Sequence, residues 1–319
     1  MNRTTLLTST CLVLFGSACV VENYFDDPDD LVVDQVWVSE TFFQAPLPKV
    51  DILWVVDTTG SMTEELASLK SGFVDFVEDL ELEELNYQIG ITSTDLTSSG
   101  GVLQGNPWII TSELESPAVS FAEAIDGLPQ SVGEEAGLAS FMSALTDPLL
   151  SEDNRGFRRN DAALHVIVVS DSDDDSDDYI GGLPEVEAVR FLADQATRTG
   201  APAWLSAVVG PEPIGCVGQG GAVPGTAYIA VAEASGGEVL SLCDPELSEL
   251  FAGLGMLSFS YPVSFELQGL AVPDSVSVTV DGEPEDSGWA VESDPPRLVF
   301  EAAPEAGVEI EIRYRLEQG

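Results

Sequence analysis

Hydrophobic positions along this chain change period twice. From about residue 49 to 258, continuous apolar runs alternate with segments of helical period. The run Asp51-Ile52-Leu53-Trp54-Val55-Val56 ends in Asp57, the pattern of a strand buried on both faces. Leu66, Leu69, Phe73, Phe76, Val77 and Leu80 then repeat at helical spacing. Tyr87 to Thr92 predicts a strand, and Trp108-Ile109-Ile110 a shorter one. Leu138, Phe141, Met142 and Leu145 lie at i, i+3, i+4 and i+7, which predicts a helix. Leu164 to Ser170 is a second apolar strand, and it too ends in an acid, Asp171. Pro184 opens a helix that Gly200 closes. Ala203 to Val209 and Gly237 to Leu242 predict further strands. Asp244 as N-cap and Pro245 at the first helical position start a last helix through Leu247, Leu250, Phe251 and Leu254.

Such alternation predicts an α/β fold, a doubly wound, mostly parallel sheet with helices on both faces. Ligands of these folds bind at the carboxyl ends of the strands, where Asp57 and Asp171 fall. Beyond about residue 262 the period becomes two. Val263 to Leu267, Val276 to Val280 and Val308 to Ile312 alternate apolar with polar, and Asp281-Gly282 is a hairpin signal. The expected domains are therefore an α/β domain over 48–260 and a small C-terminal antiparallel β domain over 261–319. Residues 20–47 read as an acidic tether and leading segment, with Val32 to Phe43 apolar enough to pair with a domain edge.

The N-terminus adds a location. Arg3, the mostly apolar stretch Leu6 to Phe15, and Gly16-Ser17-Ala18 before Cys19 form a segment too short to span a bilayer. Residues 1–19 resemble a lipoprotein signal peptide, which implies lipidation of Cys19. Gly16 stands where that pattern has Leu, and plain secretion is the alternative. The expected location is the bacterial envelope, at the outer membrane or cell surface, with membrane contact only through the lipid anchor. Processing would remove Cys11 and leave Cys216 and Cys243, an even pair that reads as one disulfide in an exported protein. A zinc site or catalytic thiol lacks partners, since His165 is the only histidine.

Charge narrows the partners. A formal net charge of −45, from 56 acidic and 11 basic residues, excludes nucleic acid. Cations, salty surroundings or basic partners suit the chain better.

Chemistry concentrates in Asp57-Thr58-Thr59-Gly60-Ser61-Met62, between a strand end and a helix start. One carboxylate and two hydroxyls at alternate positions point into one crevice, a set of hard oxygens that suits Mg²⁺ or Ca²⁺ rather than zinc. The segment resembles the von Willebrand factor type A (vWA) family, whose adhesion site is Asp-x-Ser-x-Ser plus a Thr and an Asp from later loops. The likeness extends through Val50 to Met62, Ile89 to Asp95, Ser170 to Ser176 and Tyr228 to Cys243, and is similar to exported bacterial vWA lipoproteins. It implies a metal site of Asp57, Thr59, Ser61 and Asp171, with Ser131 in place of the family's Thr. It also implies a non-enzymatic adhesion protein whose ion takes a carboxylate from a protein partner. The chain's own charge opposes an acidic ligand at long range, although salt screens this within about 8 Å at physiological ionic strength and about 3 Å at 1 M.

Alternatives stand beside this. One is a structural envelope protein whose metal only stabilises the fold. Another is an aspartyl-phosphate, Mg²⁺-dependent enzyme, since Asp-Thr-Thr-Gly-Ser resembles the phosphorylated motif of transport ATPases. That chemistry needs a lysine, and Lys49 and Lys70 are the only ones. In the acidic run Asp171 to Asp178, Ser176 and Gly182 stand where an EF-hand needs Gly and Glu. A second ion at Asp173 and Asp174 is the alternative to a solvated loop. His165, Trp54, Trp108, Trp204 and Trp289 read as core.

Overall fold

The computed structural model describes residues 20–22, 36–44, 49–82, 85–98, 100–131, 135–217, 221–258, 261–293, 295–305 and 307–317. The signal segment and Cys19 lie outside these residues. The chain forms two compact units, one of residues 47–260 and one joining residues up to 46 with 261–319. In chain order, β1 (Val20–Glu22) and β2 (Trp37–Phe43) belong to the second of these.

The α/β unit runs β3 (Lys49–Val56), α1 (Thr63–Leu82), β4 (Asn86–Ser93), β5 (Ile110–Thr111), α2 (Pro117–Gly127), α3 (Gly137–Ala144), β6 (Ala163–Ser170), α4 (Pro184–Thr199), β7 (Ala203–Val209), α5 (Thr226–Ser235), β8 (Val239–Ser241) and α6 (Leu247–Leu257). Its sheet has the order β5-β4-β3-β6-β7-β8. All neighbours are parallel except the edge strand β5, which is antiparallel to β4. The sheet is thus mixed rather than wholly parallel. Alternate residues of each strand feed two cores. Ile52, Trp54, Val56 and Ile167 pack with Leu69, Phe73, Phe121 and Phe251 on one face. Leu53, Val55, Val166 and Val168 pack with Leu138, Phe141, Leu192 and Tyr228 on the other. That double burial is why the strands lack polar alternation.

Helix ends follow local rules, with one exception. Pro184 opens α4 and Gly200 closes it at φ 66°. Asp244 does not cap α6 directly: its Oδ1 accepts the Glu246 amide at 2.8 Å, holding a turn before a helix that starts at Leu247. Trp54 and Trp204 are buried, but Trp108 is 44% exposed and Trp289 half-buried, so two of the four tryptophans read as core are not fully in it.

The second unit is antiparallel β. It adds β9 (Ser264–Glu266), β10 (Ser277–Val280), β11 (Glu283–Glu285), β12 (Trp289–Ser293), β13 (Pro296–Phe300) and β14 (Glu309–Arg315), in sheets of order β1-β2-β14-β10-β11 and β12-β13-β9. Asp281 at φ 50° and Gly282 at φ 80° form the expected tight hairpin between β10 and β11. The apolar part of the leading segment pairs with the β unit, but not at its edge. Trp37–Phe43 is an interior strand here, paired with β14 along its whole length and with β1 on its other side. Its inward Glu40 disguises the pattern. That carboxylate is buried and accepts the Tyr314 hydroxyl at 2.6 Å and the Gln268 amide at 3.1 Å.

His165 is a core residue, as expected. It is fully buried, stacked on Trp204, and bonded to Ser258 Oγ through Nδ1 at 2.9 Å and to Ser206 Oγ through Nε2 at 2.8 Å. Ser258 donates its own proton to Leu254 O, and Ser206 accepts the Glu238 amide. The neutral tautomer protonated on Nδ1 therefore satisfies every partner. Burial lowers the imidazole pKa to about 3 from 6.5. The unfolded chain takes up a proton below pH 6.5 and the folded chain does not until near pH 3. This contribution to stability is therefore complete above pH 6.5 and is lost as pH falls toward 3, by about 2–3 kcal/mol at pH 4.5. Urea unfolding of His165→Gln at pH 7 and pH 4.5 is expected to show a smaller drop than the unsubstituted protein by about that amount. An equal drop in both would place the acid sensitivity elsewhere.

Candidate functional site

Strand β3 lies between β4 and β6, so the chain order reverses on either side of it, the place where sheets of this kind open a crevice beyond the carboxyl ends of their strands. Asp57 sits there. Its amide extends the ladder to Val169 O at 2.9 Å, and its side chain is buried. Oδ1 accepts the Thr59 amide at 2.8 Å and Oδ2 accepts the Ser170 hydroxyl at 2.9 Å. Burial pushes its carboxyl above the ordinary range. The Thr59 and Ser170 bonds oppose this, and the nearby Asp171 adds to it. Thr59 and Ser61 turn toward each other, Oγ1 to Oγ at 3.0 Å, just before α1. The alternate-position pattern thus brings its three oxygen-bearing side chains to one place.

Asp171 follows β6. Its carbonyl accepts the Val223 amide at 2.9 Å, and its Oδ1 accepts the Ser172 hydroxyl at 3.3 Å. The Val223 contact ties it to the loop after β7. Gly210 is required at the base of that loop, because a Cβ there would lie 1.9 Å from Val223 O. The loop carries Cys216, disulfide-bonded to Cys243 across 27 residues as the even pair predicts. Closing a loop of that length contributes on the order of 3 kcal/mol.

Ser131 is held differently. Its amide donates to Thr58 Oγ1 at 3.1 Å, and Thr58 donates to Pro129 O at 2.7 Å. Thr58 therefore staples the loop after α2 to the end of β3, and Ser131 is buried with its amide on Thr58.

Asp173 and Asp174 each reach the start of a helix distant in sequence. Asp173 Oδ1 accepts the Ala227 amide at the start of α5 at 2.9 Å. Asp174 Oδ1 accepts the Leu138 amide at the start of α3 at 3.0 Å, and the Ser176 hydroxyl at 2.9 Å. Carboxylates at helix N-termini satisfy orphan amides and oppose the helix dipole favourably. The acidic run is in part a pair of helix caps.

Three residues around the crevice escape sequence reasoning. Ser170 looks like the end of a strand until register sets it beside Asp57. Thr94 follows β4 in register with Asp57, its amide on Val56 O at 3.1 Å. Glu135 is 7% exposed. Burial raises its carboxyl pKa, and the charges of Asp57, Asp175 and Asp171 raise it further. Nothing in the sequence distinguishes it from the other acids. Among the described residues no Lys or Arg forms an ion pair with Asp57, Glu135 or Asp171. Nor do three Asp, Glu, His or Cys side chains among them group closely enough to hold a metal ion. An ion here would need the hydroxyls and water as well.

No protein-family model matches the chain, and no curated protein matches it in sequence. Among solved structures it is similar to the pilus adhesin SpaC from Lactobacillus rhamnosus GG in its open conformation, at 12% identity and a TM-score of 0.40, over 98% of this chain and 44% of that one. It is also similar to the conserved hypothetical protein BatB from Bacteroides thetaiotaomicron, at 13% identity and a TM-score of 0.37, over 65% of this chain and 97% of that one. The chain spans less than half the length of the adhesin it matches. Likenesses of this strength assign neither fold nor role, and the geometry of the crevice has to carry any functional reading.

Proposed function

We propose that residues 47–260 are a vWA domain holding a divalent cation in this crevice, and that the protein binds a partner rather than catalysing a reaction. The observation that carries the reading is Asp57, buried at the switch point of the sheet, with the Thr59 and Ser61 hydroxyls 3.0 Å apart beside it. The donors are hard oxygens, which fit Mg²⁺ or Ca²⁺. Asp57, Thr59, Ser61 and Asp171 would hold the ion, with Ser131 in place of the family's Thr. Bound there, the ion supplies a Lewis-acidic position that a partner's carboxylate can complete. The phosphoenzyme alternative has less support, because Lys49 pairs with Asp161 and Lys70 with Asp126.

Export and acylation of Cys19 are part of the proposal, supported by a disulfide of the kind that persists in oxidising compartments. Among the described residues no helix is long and apolar enough to cross a membrane. The mass of the N-terminal peptide tests the anchor: a diacylglyceryl-modified Cys19 is expected, and an unmodified N-terminus elsewhere rejects it.

With 56 acids, diffuse cation binding will mask a specific site. Exposed charges are screened as salt rises, whereas direct oxygen coordination resists it. Titration with Mg²⁺ or Ca²⁺ across a NaCl series is therefore expected to leave one site in molar salt. If all divalent binding fades together, the crevice does not coordinate an ion and the protein is an acidic structural module.

A further inference from the structure

Glu135 sits where the loop after α2 enters α3, and its peptide is held on both sides. Its carbonyl accepts the Asp175 amide at 2.8 Å, and the next amide, Ala136, donates to Thr94 O at 3.0 Å. Tyr228 also reaches its carbonyl, at 3.4 Å. The backbone therefore fixes Glu135 beside Thr94, and register puts Thr94 beside Asp57 on the same face of the sheet.

Thr94 adds an independent sign of a ligand. Its Oγ1 is fully buried without a hydrogen-bond partner, a state that costs free energy unless something polar arrives. An orphan hydroxyl therefore lies in register with Asp57 and beside the backbone of Glu135, at carboxylates that no Lys or Arg among the described residues pairs with. Glu135 lies within electrostatic reach of Asp57 and Asp171, but the three do not group closely enough to hold an ion by themselves. A hard divalent ion that keeps part of its water shell can be reached across that shell.

We infer that Glu135 acts on the crevice ion through water as a third negative charge, tightening the ion and weakening an acidic ligand. This rests on the proposal that the crevice holds a divalent ion. Three carboxylates around two positive charges leave the loaded crevice net negative. A partner's carboxylate then meets repulsion that Glu135 sets, and the residue determines how strongly the site discriminates against acidic groups.

The test uses Ca²⁺ alone, then acetate titrated into the ion-saturated full chain and followed by ligand-detected NMR, at physiological salt. Glu135→Gln is expected to lower Ca²⁺ affinity by roughly three- to thirtyfold, the effect of one charge across a water layer. It should also raise the melting temperature without Ca²⁺, because a buried like charge is removed, and strengthen acetate binding. Glu135→Asp should keep the behaviour of the unsubstituted chain. If Glu135→Gln changes neither Ca²⁺ nor acetate binding while Asp57→Ala loses Ca²⁺, the inference fails and the site stands. If Glu135→Gln abolishes Ca²⁺ binding as completely as Asp57→Ala, Glu135 is a direct ligand and the role through water is overturned. If neither substitution affects Ca²⁺, the crevice reading itself fails, and the role of Glu135 with it.

Discussion

Asp57→Ala is expected to remove the salt-resistant divalent-ion site, with a fall in affinity of more than about a hundredfold, since even outer partners of a metal site are worth about 10- to 100-fold. The carboxylate occupies the one place where β3, β6 and the first turn of the α1 segment meet. Its two oxygens already order Thr59 and Ser170. Removing it deletes the strongest anionic donor and frees the turn that presents Thr59 and Ser61. Alanine also leaves the Thr59 amide without its acceptor, so stability must be followed alongside. Asp57→Asn answers that concern, because the amide oxygen can still accept from Thr59 while the charge is gone. Calorimetric titration in molar NaCl should show the site lost in both variants, with near-native circular dichroism in the asparagine form. Retained stoichiometric Mg²⁺ or Ca²⁺ binding in Asp57→Asn would end the adhesion-site reading.

Much of this architecture is legible in the sequence, for a physical reason. Strands buried on both faces must be continuously apolar, so β3 and β6 stand out, and the acids at their ends mark the crevice. The hairpin at Asp281-Gly282 is equally plain, because few residues accept positive φ twice in succession. Other parts are hidden by tertiary context. Strand β2 carries Glu40 on its buried side, and only its partner Tyr314, far along the chain, makes that tolerable. Helix α5, whose apolar residues spread around its axis, has little periodic signal. Glu135 comes near Asp57 only through tertiary contacts, its peptide being held by the Asp175 amide and the Thr94 carbonyl. Hydroxyl chemistry points to Ser131 as the counterpart of the family threonine. The structure buries both Ser131 and the carboxylate-bearing Glu135 where the loop after α2 approaches α3. Asp173 and Asp174 show a related case: the dense acidic run suggests an ion, and only the fold shows that each carboxylate also meets an amide far along the chain, Ala227 and Leu138.

At the other end of β3 the same logic of buried charge predicts a large effect on stability and none on the crevice. Asp51 is fully buried, yet it is surrounded by donors. Oδ2 accepts Arg158 Nη1 at 3.0 Å and the Arg159 amide at 2.7 Å, and Oδ1 accepts Arg159 Nε at 2.7 Å. Burial pushes its carboxyl up, while Arg159 first and Arg158 after it pull it down. Arg158 is itself fully buried at its side chain and also donates to the Ala162 carbonyl at 2.8 Å and the Arg159 carbonyl at 2.9 Å. With only 11 basic residues on the chain, committing two to one carboxylate marks the strand's amino end as an anchor. Removing one partner leaves a desolvated charge uncompensated, so Asp51→Ala is expected to destabilise the protein by about 3–5 kcal/mol in urea unfolding. Pairing it with Arg158→Met removes the orphaned cation and should recover part of that loss, a coupling that a double-mutant cycle reads directly. Six residue steps of extended strand separate Asp51 from Asp57, about 20 Å. Divalent-ion affinity of the folded Asp51→Ala variant should therefore match the unsubstituted protein. A loss below about 1 kcal/mol would mean that water or Arg159 alone satisfies the site. A change in ion affinity would mean that the two ends of β3 are not independent.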